Sequence, residues 1–251
     1  MSSPTATPAE RAAVVRDSLG VGIATGLYGT SFGAVAIASG LDVWQTCALS
    51  LLMFTGASQF ALVGVLGSGG APAAGAATAL LLGARNTLYG LRMAPRLAWR
   101  GWRRAAAAQI LIDESTAMGV NRPTRDLARL GFLSTGLSVF VLWNAFTLLG
   151  ALAGRALGDP RDYGLDAAVG AAFLALLWPQ LSRPGLIRIA LLAAVVAMAV
   201  VPFTPAGLPV LLAGGVAVLI GALLLPPGPN PATAPDGDTT TDGATAEEGT
   251  R

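Results

Sequence analysis

The side chains able to do chemistry are few, and they concentrate in residues 80–121. There an apolar run carries Arg85, Asn86 and Tyr89, and a short neighbouring run carries Asp113 and Glu114. Arg85 stays protonated and offers a planar fork to the two oxygens of an anion. Asp113 and Glu114 can accept a cationic group or exchange a proton. A second polar patch lies at Ser58 and Gln59, beside Gly56 and Phe60, and a third at Trp143 and Asn144; both sit inside apolar runs. A charged side chain at bilayer mid-depth costs about 3 kcal/mol, so such groups face a cavity, pair with one another and mark a pathway. They are read here as lining a solute route. The alternative is a buried structural ion pair, which occurs without any transport role.

The elements that must position these groups are membrane helices. Of 251 residues, 53% are hydrophobic and 12% charged, a poor fit to a soluble globular domain. All sixteen basic residues are Arg and there is no His, which removes imidazole as metal ligand, general base or proton relay. Any protonation step therefore falls to Asp or Glu. With a net charge of only +2 and arginines grouped between the apolar runs, the basic residues read as orientation signals and not as nucleic-acid contacts. Cys47 stands alone in an apolar run and reads as a packing residue, with neither a disulfide nor a metal pattern. No cofactor and no metal site is predicted. HExxH does not occur and there is no histidine to pair with a nucleophile, so an intramembrane enzyme is disfavoured.

Taken in order, residues 1–17 are polar and predicted to be a cytoplasmic N-terminus without a signal peptide. Residues 18–41 suffice for a span, which takes about 20 helical residues. Gly22, Gly26, Gly29 and Gly33 share one helix face there, for close packing or for a solute. The run 43–67 is interrupted by TGASQF at 55–60, which predicts a broken or re-entrant segment whose freed backbone lines a cavity. GSGGAP at 67–72 is a turn, and 73–94 is the next apolar segment. Arg92, Arg96, Arg100, Arg103 and Arg104 follow without an acid among them, placing this loop in the cytoplasm.

Residues 105–120 are short for a span and precede Arg122, Arg125 and Arg129, so they are predicted to dip in and return, a tilted full span being the alternative. Residues 130–154 form a span ending in Gly150 and Gly154, a GxxxG pair. Asp159, Asp162 and Asp166 mark an external loop before a sixth segment at 165–181, closed by Trp178 and Pro179. Arg183 and Arg188 return the chain to the cytoplasm, 187–201 and 208–225 make a hairpin through PFTPAG, and 226–251 read as a disordered tail. The fold class expected is an all-α polytopic membrane protein, with about seven or eight hydrophobic helical segments. At least one is broken or re-entrant, near 43–67 and also at 105–120 on the dipping reading. Residues 18–225 form its transmembrane domain.

With these pieces in order the chain resembles the AzlC family, the large subunit of a two-component bacterial exporter of branched-chain amino acids. The match is carried by SFG at 31–33, FTGASQF at 54–60, RNTLYGLRMAP at 85–95, LIDES at 111–115, WNAFTLLGALAG at 143–154 and LDAAVGAAFLALLWPQL at 165–181. Where the family often has Asn two residues before the arginine and His just after it, this chain has Gly83 and Asn86. A histidine relay is therefore missing here. The resemblance implies a bacterial inner-membrane permease and a partner, a small hydrophobic AzlD-like subunit encoded separately. It also implies export of branched-chain (hydrophobic) amino acids such as leucine, isoleucine, valine and methionine, driven by the proton-motive force.

Such a substrate is a zwitterion with an aliphatic tail, and it needs an anion site, a cation site and an apolar pocket. Arg85, or backbone N–H groups at a break near Gly56 to Gln59, can hold the carboxylate. Asp113 or Glu114 can accept the ammonium. Asn86, Tyr89, Ser58, Gln59 and Asn144 supply neutral hydrogen bonds, Phe60 and Trp143 shape the apolar side, and Gly56, Gly29 and Gly33 allow a backbone break and close packing. Burial disfavours a charged carboxyl and a neighbouring guanidinium favours it, so the balance lets one of the two acids exchange a proton as exposure alternates. Adjacent helical residues point about 100° apart, so the pair divides the work: one acid meets Arg85, the other titrates. A channel-like pore for small solutes is the rival reading.

Overall fold

The computed structural model describes residues 6–157, 174, 178, 181, 184–205 and 208–224. Among them the chain is all-helical, without a strand. The helices are α1 (Pro8–Ala38), α2 (Val43–Leu52), α3 (Gly56–Gly67), α4 (Pro72–Gly83), α5 (Arg85–Leu97), α6 (Trp102–Gln109), α7 (Asp113–Val120), α8 (Arg125–Leu157), α9 (Pro184–Val200) and α10 (Leu208–Leu224). The acidic loop with Asp159, Asp162 and Asp166, nearly all of the segment 165–181, and the tail 226–251 lie outside the described residues.

Among the described residues three helices are long and apolar enough to cross a membrane, within Pro8–Ala38, Arg125–Ala156 and Pro184–Phe203. With the shorter apolar helices they make a polytopic membrane protein. α1 begins ten residues before the apolar run, because Pro8 fits the first helical position and Thr7 and Glu10 cap each other. The Thr7 hydroxyl accepts the Glu10 N–H at 3.2 Å, and the Glu10 carboxylate accepts the Thr7 N–H at 2.8 Å.

α1 and α8 form the axis of the bundle, packed along most of their length. The small residues of one seat the backbone of the other. A Cβ at Gly29 would stand 2.5 Å from the Trp143 carbonyl oxygen, one at Gly33 2.1 Å from that of Thr147, and one at Gly150 2.0 Å from that of Thr30. No side chain fits there, so the glycine face of α1 is occupied by α8. Gly154 continues the seam, opposite Ala34. A buried hydroxyl cluster adds polar contacts: Thr135 donates to Ser18 Oγ at 2.9 Å, and Ser134 Oγ lies 3.0 Å from the same oxygen.

The segments between α1 and α8 are discontinuous. The run 43–67 divides into α2 and α3 at Met53–Thr55, and neither half reaches the length of a span. The run 105–120 divides into α6 and α7 at Ile110–Ile112, a break within the segment expected to dip or tilt. The apolar segment 73–94, expected to be continuous, bends instead at Ala84 between α4 and α5. Ala84 keeps right-handed helical angles, φ −56 and ψ −29, so the chain turns there without reversing. The bend falls where residue character changes: α4 is apolar around its whole circumference, whereas α5 carries Arg85, Asn86, Arg92 and Arg96.

At two of the breaks side chains take up backbone groups, as burial demands. The carbonyls left at the end of α2 go to two glutamines. Gln59 Nε2 donates to Met53 at 2.8 Å and to Ser50 at 3.4 Å, and Gln109 Nε2 donates to Leu51 at 2.8 Å. At the second break Ser115 Oγ accepts the Ile112 N–H at 3.0 Å and donates to the Ile110 carbonyl at 2.7 Å. The core beside them unites Phe32, Phe60, Val63, Phe54, Ile112 and Trp143, so both breaks border one apolar cluster.

Candidate functional site

The charged groups of residues 80–121 meet. Arg85, at the start of α5, places Nη2 2.8 Å from Asp113 Oδ2, at the start of α7. Tyr89, one turn along α5 from Arg85, donates its hydroxyl to the other carboxylate oxygen of Asp113. Both partners of the ion pair are partly open, with 39% of the Arg85 side chain and 44% of the Asp113 side chain accessible. A half-open pair at the junction of helix ends differs from a sealed core pair, because a polar solute can reach it.

Glu114 points elsewhere: Thr25 Oγ1, on α1, lies 3.5 Å from its Oε1, at the outer limit of a hydrogen bond. The two adjacent acids thus divide, Asp113 toward α5 and Glu114 toward α1, as the roughly 100° step between helical neighbours requires. Both occupy the first turn of α7, where the partial positive charge of the helix end favours carboxylates.

The α4–α5 bend also approaches α3. A Cβ at Gly83 would stand 3.3 Å from Ser58 Oγ. Ser58 is 1% exposed and its hydroxyl has no partner; Arg85 Nε, Asn86 Oδ1 and Thr116 Oγ1 are likewise buried and unpaired. Thr116 lies one turn beyond Asp113 on α7. These four atoms lie on α3, α5 and α7, and a fifth, Asn144 Oδ1, on α8; a buried polar group left unpaired is costly.

The remaining sequence-predicted residues take different places. Gln59 is fully buried, its amide bound to the α2 carbonyls, while its Oε1 accepts the Trp143 indole N–H at 3.1 Å. Phe60 and Trp143 stand edge to face at 6.5 Å, and Phe32 completes the set at 5.6 Å from Phe60. Gly56 lets the α3 end approach the Trp143 ring, 3.1 Å from where its Cβ would be. Gly29 and Gly33 lie against α8. Asn144 donates to Phe140 O at 2.8 Å and borders a separate cleft of about 440 Å³ between α2 and α8, with Trp44, Cys47 and Arg155. So Arg85, Tyr89, Asp113 and Ser58 gather at the bend with Asn86 alongside, Gln59, Phe60, Trp143 and Gly56 form the adjoining wall, and Asn144 faces another side.

Sequence reasoning missed Thr25, Ser115, Thr116 and Gln109. Ser115 and Thr116 carried a readable signal, standing beside two acids in an apolar run. Thr25 and Gln109 are tied to partners 89 and 58 residues away, and no local pattern announces them.

The sequence profile of the AzlC protein family matches residues 20–157, more than half the chain. The chain belongs to the AzlC family. Among its relatives, an uncharacterized membrane protein of Archaeoglobus fulgidus is 33% identical over 153 residues, 60% of this chain and 67% of that one. An uncharacterized membrane protein of Helicobacter pylori is 27% identical over 161 residues, 62% of this chain and 69% of that one. The inner membrane protein YgaZ of Escherichia coli is 28% identical over 198 residues, 73% of this chain and 80% of its own. No solved structure matches. The AzlC match runs from within α1 to the end of α8, and so contains the ion pair, both breaks and the glycine seam.

Proposed function

We propose that this AzlC-family chain is the large permease subunit of a secondary transporter in the bacterial inner membrane. It exports branched-chain and related hydrophobic amino acids, coupled to the proton-motive force, with a small hydrophobic AzlD-like partner subunit. The inner-membrane placement is supported by the relative YgaZ, an inner membrane protein, and cytoplasmic termini by the arginine-rich loops.

One observation carries the reading: the accessible Arg85–Asp113 pair lies where α5, α7 and the α4–α5 bend meet, beside an aromatic wall. A zwitterion suits such a place, because its ammonium can replace a guanidinium on Asp113 without leaving a bare charge. Glu114, directed at α1, is the carboxyl free to take part in proton exchange. Discontinuous helices at membrane depth are tolerated where they line a cavity, as carriers use them.

The experiment is counterflow in proteoliposomes holding the chain with its small subunit. Excess internal leucine should accelerate uptake of labelled leucine. Asp113→Asn should lower flux at least tenfold, and Glu114→Gln should spare exchange while abolishing dependence on a pH gradient. Full pH-dependent flux in both variants would sink the coupling scheme. Absence of trans-stimulation would replace a carrier with a pore.

A further inference from the structure

We infer that the groove between α6 and α8 is a binding site for one anionic phospholipid, which lays an acyl chain in the groove and sets its phosphate against Arg103. The site is independent of what the protein transports. The groove encloses about 380 Å³ and is walled by Trp99, Trp102, Ala106 and Ile110 and by Leu133 and Leu137 of α8, with Arg103 the one charged residue on it. Leu137 is 51% and Trp102 76% exposed, so the described residues leave these walls uncovered. Polarity is graded along α8. Arg129 lies over the Trp99 ring at 5.8 Å, and Leu133 and Leu137 follow it at about 6 and 12 Å along the helix axis. An arginine mouth flanked by tryptophans, leading into an apolar run of that depth, matches one leaflet, whose hydrocarbon half is about 15 Å thick.

Charge selects the headgroup. Residues 43–112 contain no acid. Of the arginines around the mouth, Arg96 donates to the Arg122 carbonyl and Arg129 to that of Leu97. Arg100, Arg103 and Arg104 are exposed and meet neither an acid nor a hydrogen-bond acceptor among the described residues. Two of these three, Arg103 and Arg104, stand in the first turn of α6, where the helix dipole adds positive charge to theirs. A phosphodiester offsets that excess. Arg103, with its guanidinium over the Trp102 ring at 5.8 Å, is placed at the groove to meet it. Volume selects the tail: one turn of an α-helix, about 10 Å across and 5.4 Å long, fills about 420 Å³, so the groove would receive less than one turn of a partner helix, whereas a flexible hydrocarbon chain can follow it.

The test is native mass spectrometry of the full-length chain, released from a neutral detergent and titrated with dioleoyl phosphatidylglycerol or dioleoyl phosphatidylcholine. One arginine beside an anionic lipid is worth about fivefold in affinity, so with three of them phosphatidylglycerol should bind at least about tenfold more tightly than phosphatidylcholine. Arg103→Gln, an exposed substitution, should weaken phosphatidylglycerol about fivefold and leave phosphatidylcholine unchanged. Ala106→Phe fills the groove and keeps every arginine, and should remove the tightest phosphatidylglycerol adduct. Equal affinity of the unmodified chain for the two lipids overturns the site, as does unchanged phosphatidylglycerol affinity in Arg103→Gln. Full binding by Ala106→Phe with unmodified helix content would reduce the effect to diffuse attraction and overturn it too. If Ala106→Phe loses a second copy of the chain or a coexpressed small subunit and keeps the lipid, the groove is a protein interface and the lipid site falls. Should Ala106→Phe misfold, the comparison of the two lipids and Arg103→Gln decide.

Discussion

Gly150→Ala should force apart the two helices on which the rest of the bundle is built. The new Cβ would stand 2.0 Å from the carbonyl oxygen of Thr30, with the Thr30 carbonyl carbon at 2.7 Å. The obstacle is helix backbone, so no rotamer change relieves it. Reaching a tolerable separation requires α1 and α8 to part by about 1 Å, and a gap of that size forfeits a quarter to a half of each dispersion contact along the seam. Overpacking of this kind costs about 1–3 kcal/mol, and the upper end is expected because the seam runs along both long helices. For a chain of this size that is a fall in melting temperature of about 6–12 °C. Gly20 is the control: nothing lies within 4 Å of a Cβ there, and Ala should be neutral or gain up to about 1 kcal/mol. A third variant separates side-chain from backbone obstruction. Gly22→Ala meets Ser138 Oγ at 2.3 Å, so Ser138→Gly in the same chain should rescue it, whereas no side-chain change should rescue Gly150→Ala. Tryptophan fluorescence during heating in detergent gives all four values. Coincident melting of Gly150→Ala and Gly20→Ala would refute the seam.

Trp143→Phe keeps the aromatic cluster but removes the donor to Gln59 Oε1; leaving that buried acceptor unpaired should cost about 1–3 kcal/mol, read as a lower midpoint in the same melt. Arg129 donates twice to the Leu97 carbonyl, at 2.9 and 2.7 Å, and its guanidinium lies over Trp99. Arg129→Gln should therefore cost about 1.5–3 kcal/mol and speed hydrogen exchange at the end of α5, with little effect on exchange in α1. Gly101 has φ +57 and no neighbour within 4 Å, so Gly101→Ala should destabilise the α5–α6 connection by about 1–3 kcal/mol through backbone strain alone. Equal melting of that variant and the unmodified chain would show that the connection adopts another conformation.

The sequence disclosed the discontinuity of 43–67 because Thr55, Gly56, Ser58 and Gln59 are polar or small at membrane depth, a local signal. It did not disclose the bend at Ala84, since Leu80 to Ala84 reads as uninterrupted apolar helix and only the change of character beyond Gly83 hints at a turn. Arg85 and Asp113 were recognisable as partners because few other charges occupy apolar runs, and two unpaired charges in one membrane are improbable on energetic grounds. The capture of the α2 carbonyls by Gln59 and Gln109 was not legible. An amide in an apolar run looks the same whether it serves a solute or a helix end, and only the three-dimensional placement of its acceptor separates the two. The glycine face of α1 posed the same ambiguity, resolved by backbone of α8 lying within the volume of a Cβ.

The division between continuous and interrupted helices has a mechanical consequence. Where backbone touches backbone, as at Gly33 against Thr147 and Gly150 against Thr30, contacts are short and cannot slide without steric cost. α1 and α8 therefore behave as one body. The polar groups at the bend sit on α3, α5 and α7, short pieces joined to their neighbours through breaks or a kink, and those junctions are held by side-chain hydrogen bonds from Gln59, Gln109 and Ser115. Such bonds exchange partners for modest free energy, of order 1 kcal/mol each. Glu114 alone among the site carboxylates reaches across to the rigid pair, through Thr25 of α1, whereas Asp113 stays with α5. A change in the charge of Glu114 would then act on the contact between α7 and the α1–α8 pair, and a change in the occupancy of Asp113 on the contact between α7 and α5. On the proposed coupling scheme, these neighbouring acids on one helical turn would serve a proton and a solute without competing for the same partner.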